Sequence, residues 1–409
     1  MKNHLKFVSL FSNSMSKEPA VLNDLKFFLH EDMEVDQKIR EAFPLESYGP
    51  PDEWIRIEGS KDLFQSFESI SNKKWDIPEK LVNIQLKGFN THNQIILEFK
   101  HDTIQANGVY DFTNTFFNIL FCMRKFARYC LEQGYEDIVE DNIKKLMIRN
   151  GSVEKQYRLI EHRGDFFIRG LTSMKYNNYD NHIAIYISIL EIHKMAKEEG
   201  SQYRIEKAYL SDSEINIFIE QKSPLIIAGF GKVYFGALLS NSEIREGALS
   251  LVFRYRIEND EKESFGGMPD LEEAIFSIKH DTTIRNVRNQ LNKLKDLNKW
   301  KARMYDHIKN VGQTPYLSED RIYTIFKFIH KSTKKLEPDT RERAKSLEES
   351  MVNNTYHIIK FFNRLYEITT EVDEKITLER IFYKSLKDMG KVKPNKNVES
   401  KSNEENTSL

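Results

Sequence analysis

Between Gln156 and Ile257 one pattern repeats: a short run rich in apolar residues, a polar break, and another run. The runs are Gln156 to Ile160, Phe166 to Leu171, Arg204 to Leu210, Ile215 to Glu220, Leu225 to Leu239 and Ala248 to Ile257. The first two flank His162-Arg163-Gly164-Asp165, which predicts a hairpin. Gly229, Gly231 and Gly236 predict bulges or a bend in the fifth run. Asn177 to Asn181 reads as a turn. Only His182 to Lys197 reads as a helix, amphipathic and ending at Gly200, a residue suited to the left-handed position after a helix. So many adjacent strands with short breaks exclude an all-helical fold and favour antiparallel pairing.

The flanks read differently. Residues 1 to about 75 look polar and irregular, with one helical pattern from Val21 to Phe43 that Pro50-Pro51 stops. Strands follow at Leu81 to Leu86 and Gln94 to Lys100. Residues 111 to 148 are helical and split at Gly134. After Ser264-Phe265-Gly266-Gly267, which reads as a mobile break, the chain stays helical. Ile284 to Val311 forms one helix, and Ser318 caps the next with Glu319 and Asp320 in its first turn. Thr340 to Thr369 is a further helix, packed through Leu347, Met351, Ile358, Phe362 and Leu365. Thr377 caps a short last one. From Lys391 onward apolar surface is too sparse for packing, and disorder is expected. The fold class is therefore α+β: an antiparallel sheet core with packed helices, a helical C-terminal region and a disordered tail. The corresponding stretches are 1–150, 151–312, 313–390 and 391–409.

The two cysteines, Cys122 and Cys130, are eight residues apart in one helical pattern. That spacing is roughly 12 Å along a helix, too far for a disulfide. They read as small buried apolar residues in a reducing compartment. The apolar run Phe7 to Phe11 is too short for a signal-peptide core. Phe116 to Met123 falls far short of the ~20 residues that span a bilayer. A cytoplasmic protein with no membrane association is expected.

Three stretches carry a family resemblance: RGLTSMKYNNYDN (Arg169 to Asn181), LLSNSEIREGALSLVFRY (Leu238 to Tyr255) and IFSIKHDTTIRNVRNQL (Ile275 to Leu291). Together they resemble the phage/plasmid-like family known as domain of unknown function 932, over roughly residues 155–310. The matching positions are Ser173, Tyr176, Asp180 and Asn181; Asn241, Ser242, Glu243 and Gly247; and Lys279, His280 and Thr283. Two extra residues separate Glu243 from Gly247. Asn259-Asp260-Glu261 stands where relatives carry Cys-x-Asn-Gly. The family has no established activity. The resemblance implies carriage on a phage, prophage or plasmid, and through that association a role in DNA transactions, defence or counter-defence. For the break between Leu239 and Leu249 two readings stand. It is a turn made by Asn241, Glu243 and Gly247, or a site presenting Ser242 and Glu243 beside His280 and Asp180.

Catalytic signatures are sparse. Asp212 or Glu214, followed by Glu220-Gln221-Lys222 at a strand end, has the makings of a metal-dependent nuclease: oxygen ligands for a divalent ion and a lysine for the phosphate. Glu98-Phe99-Lys100 repeats the pattern, which shows how readily it arises by chance. His182 and His193 are too far apart on one helix to share an ion. They read as a polar-face histidine and a helix C-terminal one. Gly229-Phe230-Gly231 lacks the rest of a phosphate loop. No cofactor is expected outside the nuclease alternative.

The strongest signal is electrostatic. Thr282 to Asn310 holds eight Lys or Arg residues against two Asp, although the whole chain carries a net charge of −1. Arg285, Arg288, Lys295, Lys299 and Arg303 are interleaved with Trp300 and Tyr305. Basic side chains can track a phosphate backbone, and aromatic ones can stack bases. A solvated helix face gives the same pattern. The expected function is a non-catalytic nucleic-acid-binding protein of a mobile element, of single-strand-annealing type or acting in defence. The alternatives are the nuclease, or a protein-binding subunit or inhibitor in a phage-defence system whose basic helix meets an acidic partner.

Overall fold

The computed structural model describes residues 5–100, 103–244, 248–270, 275–280, 282–292, 294, 297–312, 316–333, 335–351, 356–369 and 371–389. The expected disordered tail from Lys391, and with it Gly247 and Lys295, lies outside the described residues. The fold is α+β. The chain forms two compact units with alternating segments: residues 1–222, 237–251 and 274–295, and residues 223–236, 252–273 and 296–409. The consecutive stretches drawn from the sequence do not coincide with them.

The first unit begins with β1 (Phe7–Phe11), a 3-10 helix at Leu22–Phe28, α1 (Glu34–Ala42), β2 (Ile57–Glu58) and α2 (Ser60–Ile70). The N-terminal region is thus ordered rather than irregular, and the single helix expected over Val21 to Phe43 is two separate elements. The strand character of β1 comes from distant pairing. It lies antiparallel to β9 (Tyr203–Ser211), with Phe7 opposite Ser211 and Phe11 opposite Lys207.

A six-stranded sheet follows, built from β3 (Lys74–Lys80), β4 (Ile84–Phe89), β5 (Ile95–Phe99), β6 (Ile104–Gly108), β7 (Glu154–His162) and β8 (Asp165–Thr172) in the order β3-β7-β8-β6-β5-β4. The β7–β8 hairpin forms as expected, with Arg163 and Gly164 both at positive φ in its turn. The sheet is mixed, because β6 and β8 are parallel. The long helical connection between β6 and β7 permits this. It holds α3 (Phe112–Phe121), α4 (Arg124–Glu132) and α5 (Glu136–Arg149). Phe112, Phe116, Ala127, Val139 and Ile143 from these helices pack on Leu86, Leu97, Phe99, Tyr157 and Ile168 of the sheet.

The helical region breaks at Gly134, and once more at Cys122, which takes the left-handed conformation at φ 54° and ends α3. The cysteines therefore do not share a helix. Cys130 is buried, but Cys122 is exposed, against expectation.

The remaining strands of this unit are β9, β10 (Glu214–Gln221), the second half of β12 (Gly231–Ser242), the first half of β13 (Leu249–Glu258) and β15 (Phe276–Ile278). Between β8 and β9 runs α6 (Asn181–Glu199), ending at Gly200 with φ 63°. It is buried nearly all round from Asn181 to Ala196 rather than amphipathic. A helix that is apolar on every side belongs in the interior. This unit ends with α7 (Ile284–Leu291), packed against α1.

The second unit holds β11 (Leu225–Ile227), the other halves of β12 and β13, β14 (Ser264–Gly267), α8 (Leu297–Gly312), β16 (Tyr316–Leu317), α9 (Glu319–Lys331), α10 (Pro338–Met351), β17 (Tyr356–His357), α11 (Ile358–Glu367) and α12 (Val372–Met389). Gly229 and Gly231, at φ 85° and 93°, turn β11 into β12. Ser318 takes the N-cap position of α9 as expected.

Three expectations fail in this unit or at its edge. Ile284 to Val311 is two helices, α7 and α8, and they belong to different units. Asn292 closes α7, where its weak helix propensity favours an end. Thr340 to Thr369 is interrupted after Met351, and Tyr356–His357 pairs instead with Tyr316–Leu317. Thr377 sits inside α12, its hydroxyl donating to the Asp373 carbonyl at 2.9 Å.

Ser264 to Gly267, expected to be mobile, is a buried strand antiparallel to β13. Its glycines have a steric cause. A Cβ on Gly266 would lie 2.5 Å from Nη2 of Arg254 and 2.6 Å from Cδ of Glu379. Those two side chains form a buried ion pair, Nε to Oε2 at 2.7 Å and Nη2 to Oε1 at 2.8 Å. Phe265 packs on Phe382 beside them, at 5.2 Å between ring centroids.

Candidate functional site

The β7–β8 hairpin contains a bulge. Register passes from Arg158 opposite Gly170 to Leu159 opposite Ile168, which leaves Arg169 as the extra residue. Bulges re-aim side chains, and here Arg158 and Arg169 are both buried and share the Asp180 carboxylate. Arg158 holds Asp180 through Nη2 at 2.7 and 2.8 Å, and Asp76 of β3 through Nε at 2.9 Å. Its Nη1 donates to the Glu243 carbonyl at 2.7 Å. Arg169 Nη1 donates to the Glu243 carboxylate, and Lys74 Nζ reaches the same carboxylate at 2.6 Å and Asp180 at 4.0 Å.

Asp180 and Glu243 also organise the start of α6. Asp180 occupies the N-cap position, but its carboxylate faces Arg158 rather than the helix. Glu243 takes over, accepting the Asn181 N–H at 2.8 Å. An anion at a helix N-terminus meets unpaired N–H groups and the positive end of the helix dipole. Asn241 completes the join, its Nδ2 donating to Oδ1 of Asn181 at 2.9 Å and to the Tyr179 carbonyl at 3.1 Å.

Burial opposes ionisation of Asp180, but Arg158, Lys74 and Arg169 outweigh it and hold its carboxyl well below the usual range. Burial and the nearby Asp180 oppose ionisation of Glu243, yet Lys74, Arg169 and Arg158 again prevail and lower it. Arg169 Nε and Nη2, Asn181 Nδ2 and Asn241 Oδ1 are buried without a hydrogen-bond partner.

His280 closes this cluster. Its ring stacks on Tyr176, with centroids 4.5 Å apart and planes 11° apart. Its Nδ1 lies 3.2 Å from the Asn177 carbonyl, which can only accept, so that nitrogen carries the proton and Nε2 is the acceptor. Nε2 is buried without a partner. Burial pushes the His280 pKa down, so the ring is held neutral.

A pH dependence follows. A group whose folded pKa is lowered contributes stability above its unfolded value and loses it as pH falls. The unfolded value for histidine is about 6.5. His280 and the similarly lowered His193 therefore weaken the fold as pH drops below that value. His30, raised chiefly by its bond to Asp36, acts oppositely. The difference in thermal midpoint between wild type and His280→Gln should shrink as pH falls from 7.5 to 5.5, values chosen to bracket about 6.5. A constant difference, measured by differential scanning fluorimetry, would refute the neutral buried ring.

Tyr176, Asp180, Asn181, Asn241, Glu243 and His280 thus converge, although they come from three separate stretches. Ser173 stays exposed at the edge, Ser242 is half-buried with Oγ 3.5 Å from Glu214, and Gly247 lies outside the described residues. Of the break after Leu239, Asn241 and Ser242 lie in β12, and Glu243 is fully buried and shares Lys74 with Asp180. Lys74, Asp76, Arg158 and Arg169 escaped the sequence reading. A signal existed: an arginine inside the apolar runs Tyr157-Arg158-Leu159-Ile160 and Ile168-Arg169-Gly170-Leu171 must find a buried partner.

The nuclease residues do not meet. Asp212 precedes β10 and accepts the Tyr110 hydroxyl, whereas Glu220 lies at the far end of that strand, roughly 20 Å away at strand rise. Glu220 pairs with Arg204 at 2.8 Å and Lys222 with Glu58 at 2.7 Å.

The histidines of α6 also differ from expectation. His182 and His193 are both buried. His193 Nδ1 accepts the Arg56 N–H at 3.1 Å. His182 Nε2 lies 3.1 Å from Asp36 Oδ2, and His30 Nδ1 lies 3.1 Å from the same oxygen.

The basic residues lie on two helices. On α7, Arg285 and Arg288 are exposed while Val287 and Leu291 are buried. On α8, Lys299, Arg303 and Lys309 are exposed, Met304 and Ile308 are buried, and Trp300 is half-buried with the Arg303 guanidinium 5.8 Å from its ring. No helix among the described residues is long and apolar enough to cross a membrane.

Fold and site together define an α+β protein in which a bulged hairpin, a buried helix and an inter-strand turn are joined by one ionic cluster. No protein-family model matches the sequence, and no curated protein or solved structure matches it significantly.

Proposed function

We propose that this chain is a non-catalytic nucleic-acid-binding protein of a phage, prophage or plasmid, acting in the cytoplasm. The observation that carries the reading is the outward placement of cations on α7 and, separately, on α8. Val287 and Leu291 of α7 and Met304 and Ile308 of α8 are buried, while Arg285, Arg288, Lys299, Arg303 and Lys309 are exposed. Cations held outward on a packed helix can displace counterions from phosphates at little cost to folding. The mobile-element origin rests on the sequence resemblance alone. The separation of Asp212 from Glu220 leaves the nuclease alternative without a shared ion site.

Arg288 lies on α7 and Lys299 on α8, so each helix is reversed separately. Arg285→Glu with Arg288→Glu, and Lys299→Glu with Arg303→Glu, use pairs that are neighbours on one helix. Each double variant should weaken binding to DNA in a gel-shift titration. Each should also flatten the log–log salt dependence, by about 0.9 for every duplex phosphate that is no longer neutralised. Unchanged melting would show that folding is intact. If wild type binds no single- or double-stranded nucleic acid in a salt-sensitive manner, the reading fails and an acidic protein partner becomes the better target.

A further inference from the structure

We infer that His30, Asp36 and His182 form a binding site for one borderline divalent transition-metal ion, such as Zn²⁺ or Fe²⁺. Their donor atoms all lie within 4.8 Å of one another. Two edges, His30 Nδ1 to Asp36 Oδ2 and His182 Nε2 to Asp36 Oδ2, are each 3.1 Å. Two ligands about 2.0–2.1 Å from an ion, at an angle between square and tetrahedral, stand about 2.9–3.4 Å apart. Two imidazoles and one carboxylate are the donor set of open zinc and non-haem iron sites, where protein ligands occupy three positions and leave others for water or substrate.

The surroundings suit such a site. Asp36 and His182 are 1% and 6% exposed at the side chain, whereas His30 is 44% exposed, so an ion would enter past His30. Three elements fix the donors: the segment before α1, α1 itself and the first turn of α6. Asp36 also accepts the His30 backbone N–H at 2.7 Å, which orients its carboxylate. Burial opposes ionisation of Asp36, but the hydrogen bonds from His182 and His30 hold it as the anion a metal requires. His182 follows directly after Asn181, whose N–H is held by Glu243, so the ionic cluster and this trio are braced through the same helix turn. Without metal, the two rings simply share Asp36 as an acceptor, and that is the competing account.

The test uses tag-free full-length protein stripped with a chelator, then titrated with Co²⁺ while visible absorption is followed, and with Zn²⁺ while the thermal midpoint is followed. One equivalent should saturate a ligand-field spectrum, and Zn²⁺ should raise the midpoint with increasing free metal. His30→Gln, at a half-exposed position where the amide can still donate to Asp36, should leave the apo protein folded and bind the metal much more weakly than wild type. Asp36→Asn should lose the spectrum too. Absence of both the spectrum and the midpoint shift overturns the inference, as does a His30→Gln protein that binds as tightly as wild type. DNA binding run in parallel with chelator present separates this result from the nucleic-acid reading.

Discussion

Glu243→Ala is expected to destabilise the first unit by about 3–5 kcal/mol, the usual cost of removing one partner from a buried ion pair. The physical reason is what remains. Arg169 and Lys74 would lose the carboxylate they share, and the Asn181 N–H at the start of α6 would lose its acceptor. Burial prevents water from replacing it, since Glu243 is fully buried. Glu243→Gln separates charge from shape: it retains an oxygen for the Asn181 N–H but not the negative charge, so it should fall between wild type and alanine. Chemical denaturation followed by far-ultraviolet circular dichroism reads both variants. An alanine variant within about 1 kcal/mol of wild type, no more than an average point mutation costs, would mean that the cluster is not holding the hairpin to the helix. Alanine at Arg169 as well should cost less than the sum of the two single changes, because each already removes the same pair.

Arg254→Met should have a comparable effect on the second unit. It removes the guanidinium from Glu379, whose carboxylate is 1% exposed, and so breaks their buried ion pair. The cost is again about 3–5 kcal/mol. Pairing Arg254→Met with Glu379→Leu should recover much of the loss, since an apolar pair of similar volume often replaces a buried ion pair without penalty. If the single variant melts like wild type, the pair contributes little to this unit. If the double variant is no better than the single, the pair is needed for more than mutual neutralisation.

How much of this was legible follows from the range of the forces involved. Local rules read the β7–β8 hairpin from its Arg163-Gly164 turn, the end of α6 from Gly200, the start of α9 from Ser318 and the break at Gly134. Each depends on a few adjacent residues and their φ/ψ preferences. Local rules failed where pairing is distant. Phe7 to Phe11 is a strand because β9 accepts it, and Ser264 to Gly267 is a strand because β13 and the Arg254–Glu379 pair lie against it. Helix length was overread for the same reason. Periodicity continues through Ile284 to Val311 and Thr340 to Thr369, whereas packing ends α7 in one unit and begins α8 in the other.

By itself the sequence determined the α+β class, the order of most strands and helices, and the residues in the three family-like stretches. Those properties reside in composition, alternation and turn chemistry. Only the tertiary structure decided that Tyr176, Asp180, Asn181, Asn241, Glu243 and His280 stand together. It also decided that Arg158 and Arg169 neutralise Asp180 and Glu243, and that Asp36 meets His182 across 146 positions of chain. Burying a charge is costly unless an opposite charge arrives with it, and which partner arrives depends on strand register and the placement of one bulge, which no local spacing encodes.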